Sequence, residues 1–183
     1  MSKSKVGEDV YKRVEKVNAE LFVLTYGSIV AQMCRDMSYE QVNEELEKMG
    51  YNIGIRLIED FLARTEWQRC VDLRETADTI AKVGFKMFLN VTPVISDWSE
   101  EDKTFTLTLD DNPLAEFVEL PVEARSKLWY SNILCGVLRG TLEMVQMDVD
   151  AYFVHDILRG DEHTNLKVHL KQILKEEIPA GDD

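Results

Sequence analysis

The sequence predicts an α+β fold, with helices packed on a small antiparallel sheet, and three observations lead there. Helical hydrophobic periodicity dominates the first half of the chain. Strict apolar–polar alternation enters only later, at residues 104–110 (TFTLTLD) and in two short runs near the C-terminus. Helices grouped apart from antiparallel strands, rather than alternating with them, are the pattern of the α+β class. Third, residues 50–64 (GYNIGIRLIEDFLAR) and 130–146 (YSNILCGVLRGTLEMVQ) are helical by period yet apolar on more than one face, with glycines inside the pattern. A helix covering one wall of a domain needs a single apolar stripe. These two must therefore lie between other layers, against a partner chain, or around an internal ligand.

Taken in order, residues up to about Asp9 are polar and are expected to form a flexible tail, residues 1–9 of a single domain spanning 1–183. A helix follows from Tyr11 to Asp36, with one stripe through Val14, Val17, Leu21, Leu24 and Ala31 and a second through Phe22, Tyr26, Ile29 and Met33. Ser38 with Gln41 three residues on reads as a capping box opening the next helix, which carries Val42, Leu46, Met49, Ile53, Leu57 and Phe61. Past Gly50 that helix gains a second face, Tyr51, Ile55, Ile58 and Leu62. Asp72 and Glu75 form another capping box before Leu73, Ala77, Ile80, Gly84 and Phe88. Residues 91–103 hold Pro93 and several acids and read as a surface connection. Phe105, Leu107 and Leu109 share one face of a strand, and 114–128 is ambiguous around Pro121. A helix from about Tyr130 to Met147 precedes a strand through Val149, Ala151 and Phe153. A turn at 159–164 then leads to a returning strand with Leu166, Val168 and Leu170 on one face. Residues 176–183 form an acidic tail.

A formal charge of −13 argues against nucleic acid, whose binding needs a basic footprint, and against general adsorption to anionic lipid. The longest charge-free run, residues 21–34, is shorter than the roughly 20 residues of a bilayer span. The N-terminal MSKSKVGEDV has no apolar stretch of a secretory signal, and three widely spaced cysteines fit free thiols in a reducing compartment. These point to a cytosolic protein.

Cys34 and Cys135 lie in apolar helical runs, where a thiol behaves as a small hydrophobe. Cys70 sits between Arg69 and a helix start, with Arg74 one turn on, so cations and helix terminus favour thiolate there. The alternative is an unreactive loop cysteine. Gly136 and Gly140 form a GxxxG spacing, read here as close approach of a neighbouring helix or strand, since Arg139 excludes a membrane helix. Gly84 removes side-chain volume from the inner stripe of its helix; small residues among large ones could leave a tube for a lipid chain. His155, His163 and His169 match no zinc spacing, so no metal is expected. No P-loop, dinucleotide fingerprint or nucleophile elbow occurs, and no catalytic residue is assigned.

GYNIGIRLIEDFLAR, RCVDLRETADTIAKVGFKMFL, NPLAEFVELP, YSNILCGVLRGTLEMVQMDVDAYFV and the terminal IPAGDD together resemble the TRAPP core-subunit family, most closely its Bet-three-type members. The resemblance runs in order from about Leu21 to Asp183. It implies a structural subunit of a vesicle-tethering complex in ER-to-Golgi transport, peripheral at Golgi and endoplasmic reticulum membranes, with a two-layer fold whose first helices pair. The partners it implies are other TRAPP core subunits, or a second copy in isolation, and an early-secretory Rab GTPase on which the assembled complex promotes nucleotide exchange. It further implies that Cys70 carries a palmitoyl thioester lying in an apolar channel beside Gly84, Ile80 and Phe88. Pro179, Ala180, Gly181, Asp182 and Asp183 match the family tail that reaches the nucleotide pocket, with aspartates where relatives often have glutamates and so a slightly shorter reach. Two other readings compete, a stand-alone lipid-binding protein and a thiol-dependent acyl-transfer enzyme.

Overall fold

The computed structural model describes residues 2–67 and 70–174. Its N-terminus departs from expectation. Instead of a loose tail there is a helix, α1 (Lys3–Arg13), capped by Ser2, whose side chain accepts from the Lys5 amide. Its apolar stripe is Val6, Val10 and Val14, thinly spaced among charges, which is why periodicity alone missed it. A helix this short is marginal in isolation. Packing supplies the rest: Val10 is buried, and the space for a Gly7 Cβ is already taken by the Lys82 carbonyl oxygen, 2.1 Å away.

The expected helix from Tyr11 therefore splits. The chain is extended at Val14 and restarts as α2 (Ala19–Asp36), whose cap Asn18 accepts from the Leu21 amide at 2.8 Å. The long α3 (Tyr39–Thr65) opens on the expected capping box, with both reciprocal bonds between Ser38 and Gln41 present. The segment from Leu73 is one continuous helical run in three parts: α4 (Leu73–Thr79), a widened π-turn (Ile80–Gly84) and α5 (Phe85–Leu89). Its box is shifted at one end. Asp72 accepts from the Glu75 amide as expected, but the Glu75 carboxylate reaches back to the Val71 amide.

Four antiparallel strands form one sheet in the order β1-β2-β4-β3, where β1 is Val94–Ser96, β2 Thr104–Leu109, β3 Met147–His155 and β4 Thr164–Ile173. β1 corrects the reading of 91–103 as mere connection. It is a short edge strand entered just after Pro93, where a missing N–H costs the ladder nothing. Phe105 pairs with Val168 and Leu107 with Leu166, all four fully buried. The ambiguous 114–128 stretch contains only a short helix, α6 (Val122–Arg125). The later helix, α7 (Ile133–Met144), ends earlier than periodicity suggested. Gln146 at φ 70° turns the chain so that Met147 begins β3.

α7 packs on β3 with one face and on α3 with the other, which explains its two apolar faces. α3 and α7 meet backbone to backbone. A Cβ on Gly50 or Gly54 would lie 2.0 or 2.4 Å from the carbonyl oxygens of Ile133 and Val137. From the other side, a Cβ on Gly136 or Gly140 would lie 1.9 or 2.3 Å from those of Glu47 and Tyr51. The expected close approach at Gly136 and Gly140 is thus to a helix carrying its own matching pair of glycines.

Candidate functional site

Beside this glycine seam, other faces of α3 and α7 line a cavity of about 430 Å³, with α4, the π-turn and α5 on the remaining side. Leu57, Ile58, Phe61 and Leu62 come from α3, and Leu134, Val137, Leu138 and Leu142 from α7. Cys70, Ile80, Gly84 and Phe88 all line it, so the structure brings together the four residues singled out from the sequence. A Cβ on Gly84 would meet nothing nearer than the Thr79 carbonyl oxygen at 4.0 Å, so its missing side chain is open space.

The lining is chemically quiet. Thr76, Thr79 and Thr141 return their hydroxyls to their own helix backbones, at Asp72, Glu75 and Val137 respectively, each at 2.8 Å. Side chains bonded in this way offer methyl groups, not donors, to an occupant. Among the cavity-lining residues Cys70 supplies the nucleophilic group. It is half-buried, with Sγ 3.5 Å from Thr79 Oγ1, two residues before the Asp72 cap of α4. An apolar occupant would gain about 0.8 kcal/mol for each methylene it buries against this lining. Leu62 and Met144 line the cavity yet are 39% and 49% exposed, marking where it reaches the surface.

The electrostatic setting of Cys70 differs from the one inferred from spacing. Arg74 does not serve the thiol: it makes a bidentate pair with Asp102, at 2.6 and 2.8 Å, and stacks on Trp98 at 4.5 Å. Helical spacing could not show this, because Asp102 arrives from the β1–β2 connection. Arg69 lies outside the described residues. Burial pushes the Cys34 and Cys135 thiols up, so both resist ionisation as their apolar settings suggested. Cys135 is fully buried, whereas Cys34 is only partly so.

His169 Nδ1 bonds Thr104 Oγ1 at 2.8 Å and His155 faces Asn165; among the described residues no three His, Cys, Asp or Glu side chains are grouped to hold a metal ion. Among those residues, too, no helix is long and apolar enough to cross a membrane. Sequence reasoning missed Trp67 and both helix walls, that of α3 as well as that of α7. The signal for the walls was the extra apolar face of each helix, which the sequence showed but could not aim.

A second hollow, about 500 Å³, lies between α2 and residues 117–130. At it sits the buried Tyr130 hydroxyl, which has no hydrogen-bond partner. Beside it α2 exposes Leu21, Leu24, Phe22 and Ile29. The tail residues Pro179, Ala180, Gly181, Asp182 and Asp183 lie outside the described residues.

Comparison with known proteins agrees with this architecture. A family model described as Transport protein particle (TRAPP) component matches residues 22–169. The Transport protein particle subunit bet3 of Schizosaccharomyces pombe is 78% identical over 183 residues, covering 100% of both chains. The Trafficking protein particle complex subunit BET3 of Saccharomyces cerevisiae is 60% identical over 181 residues, covering 97% of this chain and 94% of that one. A crystal structure of a trafficking protein particle complex subunit 3 from Naegleria fowleri, covalently bound to palmitic acid, superposes with a TM-score of 0.85 at 44% identity, covering 88% of this chain and 100% of that one. The chain belongs to the TRAPP component family.

Proposed function

We propose that this chain is a structural core subunit of a TRAPP vesicle-tethering complex in ER-to-Golgi transport, peripheral at those membranes, whose fold is completed by a palmitoyl chain joined to Cys70 as a thioester. The observation that carries the acyl reading is the cavity: apolar, its threonine hydroxyls internally bonded, and with one thiol at its wall. The palmitic acid of the Naegleria fowleri structure supports the same occupant. Among the described residues the lining offers no base or acid beside the thiol, so a stable modification suits the site better than acyl transfer to a second acceptor. The intact mass before and after neutral hydroxylamine, with the modified residue mapped, tests this. A labile acyl mass on Cys70 is the expected result; an unmodified Cys70 in protein expressed with its native acyl-donor supply overturns it.

The exposed apolar residues of α2 and the hollow beside them support pairing with other TRAPP core subunits, or with a second copy in isolation. Leu24→Glu should prevent that pairing in sedimentation, and an unchanged mass would refute it. The acidic tail supports a part in Rab exchange by the assembled complex. Asp182 and Asp183 would weaken the phosphate and magnesium environment of the bound nucleotide through like-charge repulsion, an effect that salt diminishes. Replacing both with Ala should slow exchange and leave assembly intact.

A further inference from the structure

α1 precedes the residues matched by the family model, yet it is docked directly behind the cavity. Its stripe of Val6, Val10 and Val14 packs in a cluster with Ile58, Phe61 and Phe88, and those three residues also line the cavity. The wall between α1 and the cavity is therefore one side chain thick. Gly7 seats the helix on the π-turn, against the Lys82 carbonyl. Lys3 pins the other end. Its Nζ donates to the Glu75 carbonyl at 2.8 Å and stands 6.0 Å from the Trp67 ring, which is itself part of the lining. The same Glu75 carbonyl accepts from Thr79 Oγ1, which is 3.5 Å from Cys70 Sγ, and the Glu75 carboxylate holds the Val71 amide. Two hydrogen bonds thus join the start of α1 to the hydroxyl that touches the thiol.

We propose that α1 is a retaining strap for the cavity: docked, it holds the thin wall and the Cys70 end closed on an apolar chain; undocked, it lets a chain that is not joined to Cys70 enter or leave. The inference rests on the reading of the cavity as a fatty-acyl site. A short helix held by one narrow stripe, one glycine seat, Lys3 and the Lys86 ammonium over the Tyr11 ring at 5.6 Å opens far more often than the whole domain unfolds. The strap lets retention be adjusted without disturbing the glycine seam that holds α3 to α7.

The test uses the full chain carrying Cys70→Ser, so that no thioester can form, loaded with radiolabelled palmitic acid and followed as the acid transfers to an excess of acceptor vesicles. Gly7→Leu places a side chain where the Lys82 carbonyl stands, and Val10→Asp puts a charge into the stripe; either should undock α1 and expose Arg13 to trypsin. Palmitic acid should then leave about tenfold faster or more, while Lys3→Ala gives a smaller increase. Unchanged release in a folded variant whose α1 trypsin removes would overturn the strap and leave the acyl cavity standing. Failure of every form, including Cys70→Ser alone, to retain palmitic acid would overturn the strap together with the cavity reading.

Discussion

Two regions of the molecule, the α3–α7 seam and the cavity beside it, use glycine for opposite ends. At the seam, Gly50, Gly54, Gly136 and Gly140 each face a carbonyl oxygen 1.9–2.4 Å from where a Cβ would stand, so the missing side chains are filled by backbone. At the cavity, Gly84 faces nothing within ordinary contact, so its missing side chain is left as volume. The same residue type closes a seam where a neighbour occupies its space and leaves room where none does. Sequence displays both as glycine inside an apolar helix; only the distance to the next atom separates them.

The sharpest way to break this contrast is to add side chains at each place. Gly136→Val should cost about 3 kcal/mol or more, because the contacting atoms belong to the Glu47 and Tyr51 backbone and cannot rotate aside. Urea denaturation would read it, and a midpoint within error of the parent would refute the seam. Gly84→Leu should leave unmodified protein as stable or up to about 1 kcal/mol more stable, since Gly84 is helical at φ −62° and its backbone gains from the replacement. Acyl mass on Cys70 should disappear in that variant; full acylation would show that the volume beside Gly84 is not where the chain lies.

The smallest effect comes from a site remote from both regions, which sets the baseline. Asp156 is fully buried at the β3–β4 turn; its Oδ1 accepts from Leu158 and its Oδ2 has no partner. Burial raises its carboxyl above the usual range. The folded state therefore holds the proton more tightly than the unfolded chain. Its stabilising contribution is full below the unfolded value and is lost as pH rises through the folded one. Asp156→Asn should remove that slope and stabilise the protein at neutral pH by roughly 1 kcal/mol. Thermal melts across pH 4–8 would show it, and parallel curves would exclude a raised Asp156.

Much of this was legible beforehand because it is local. Ser38 and Asp72 cap their helices through bonds spanning three residues, and Phe105, Leu107 and Leu109 alternate because the strand period is two. The Gly136–Gly140 spacing announced a close approach, and Cys70, Ile80, Gly84 and Phe88 were grouped before the cavity was seen, through the family resemblance rather than through spacing. What failed did so for lack of a local signal. α1 has three valines dispersed among charges and is stable only because Lys82 and the Phe61–Phe88 wall receive it. Arg74 looked like a partner for Cys70 because the chain places them one turn apart, but Asp102 and Trp98 come from a distant connection and claim it.

By itself, then, the sequence determined the α+β class, the order of most of the elements, the Ser38 and Asp72 caps, and which helices had to be apolar on two faces, since each depends on backbone periods and contacts a few residues long. Tertiary structure alone decided what those second faces enclose. The space beside Gly84 is filled by nothing, whereas along the seam the carbonyls of α3 and α7 fill the space beside each other's glycines. That is a property of two segments more than 80 residues apart, as the Tyr51–Glu143 bond between them shows (|i−j| of 92), and no window along one chain contains it.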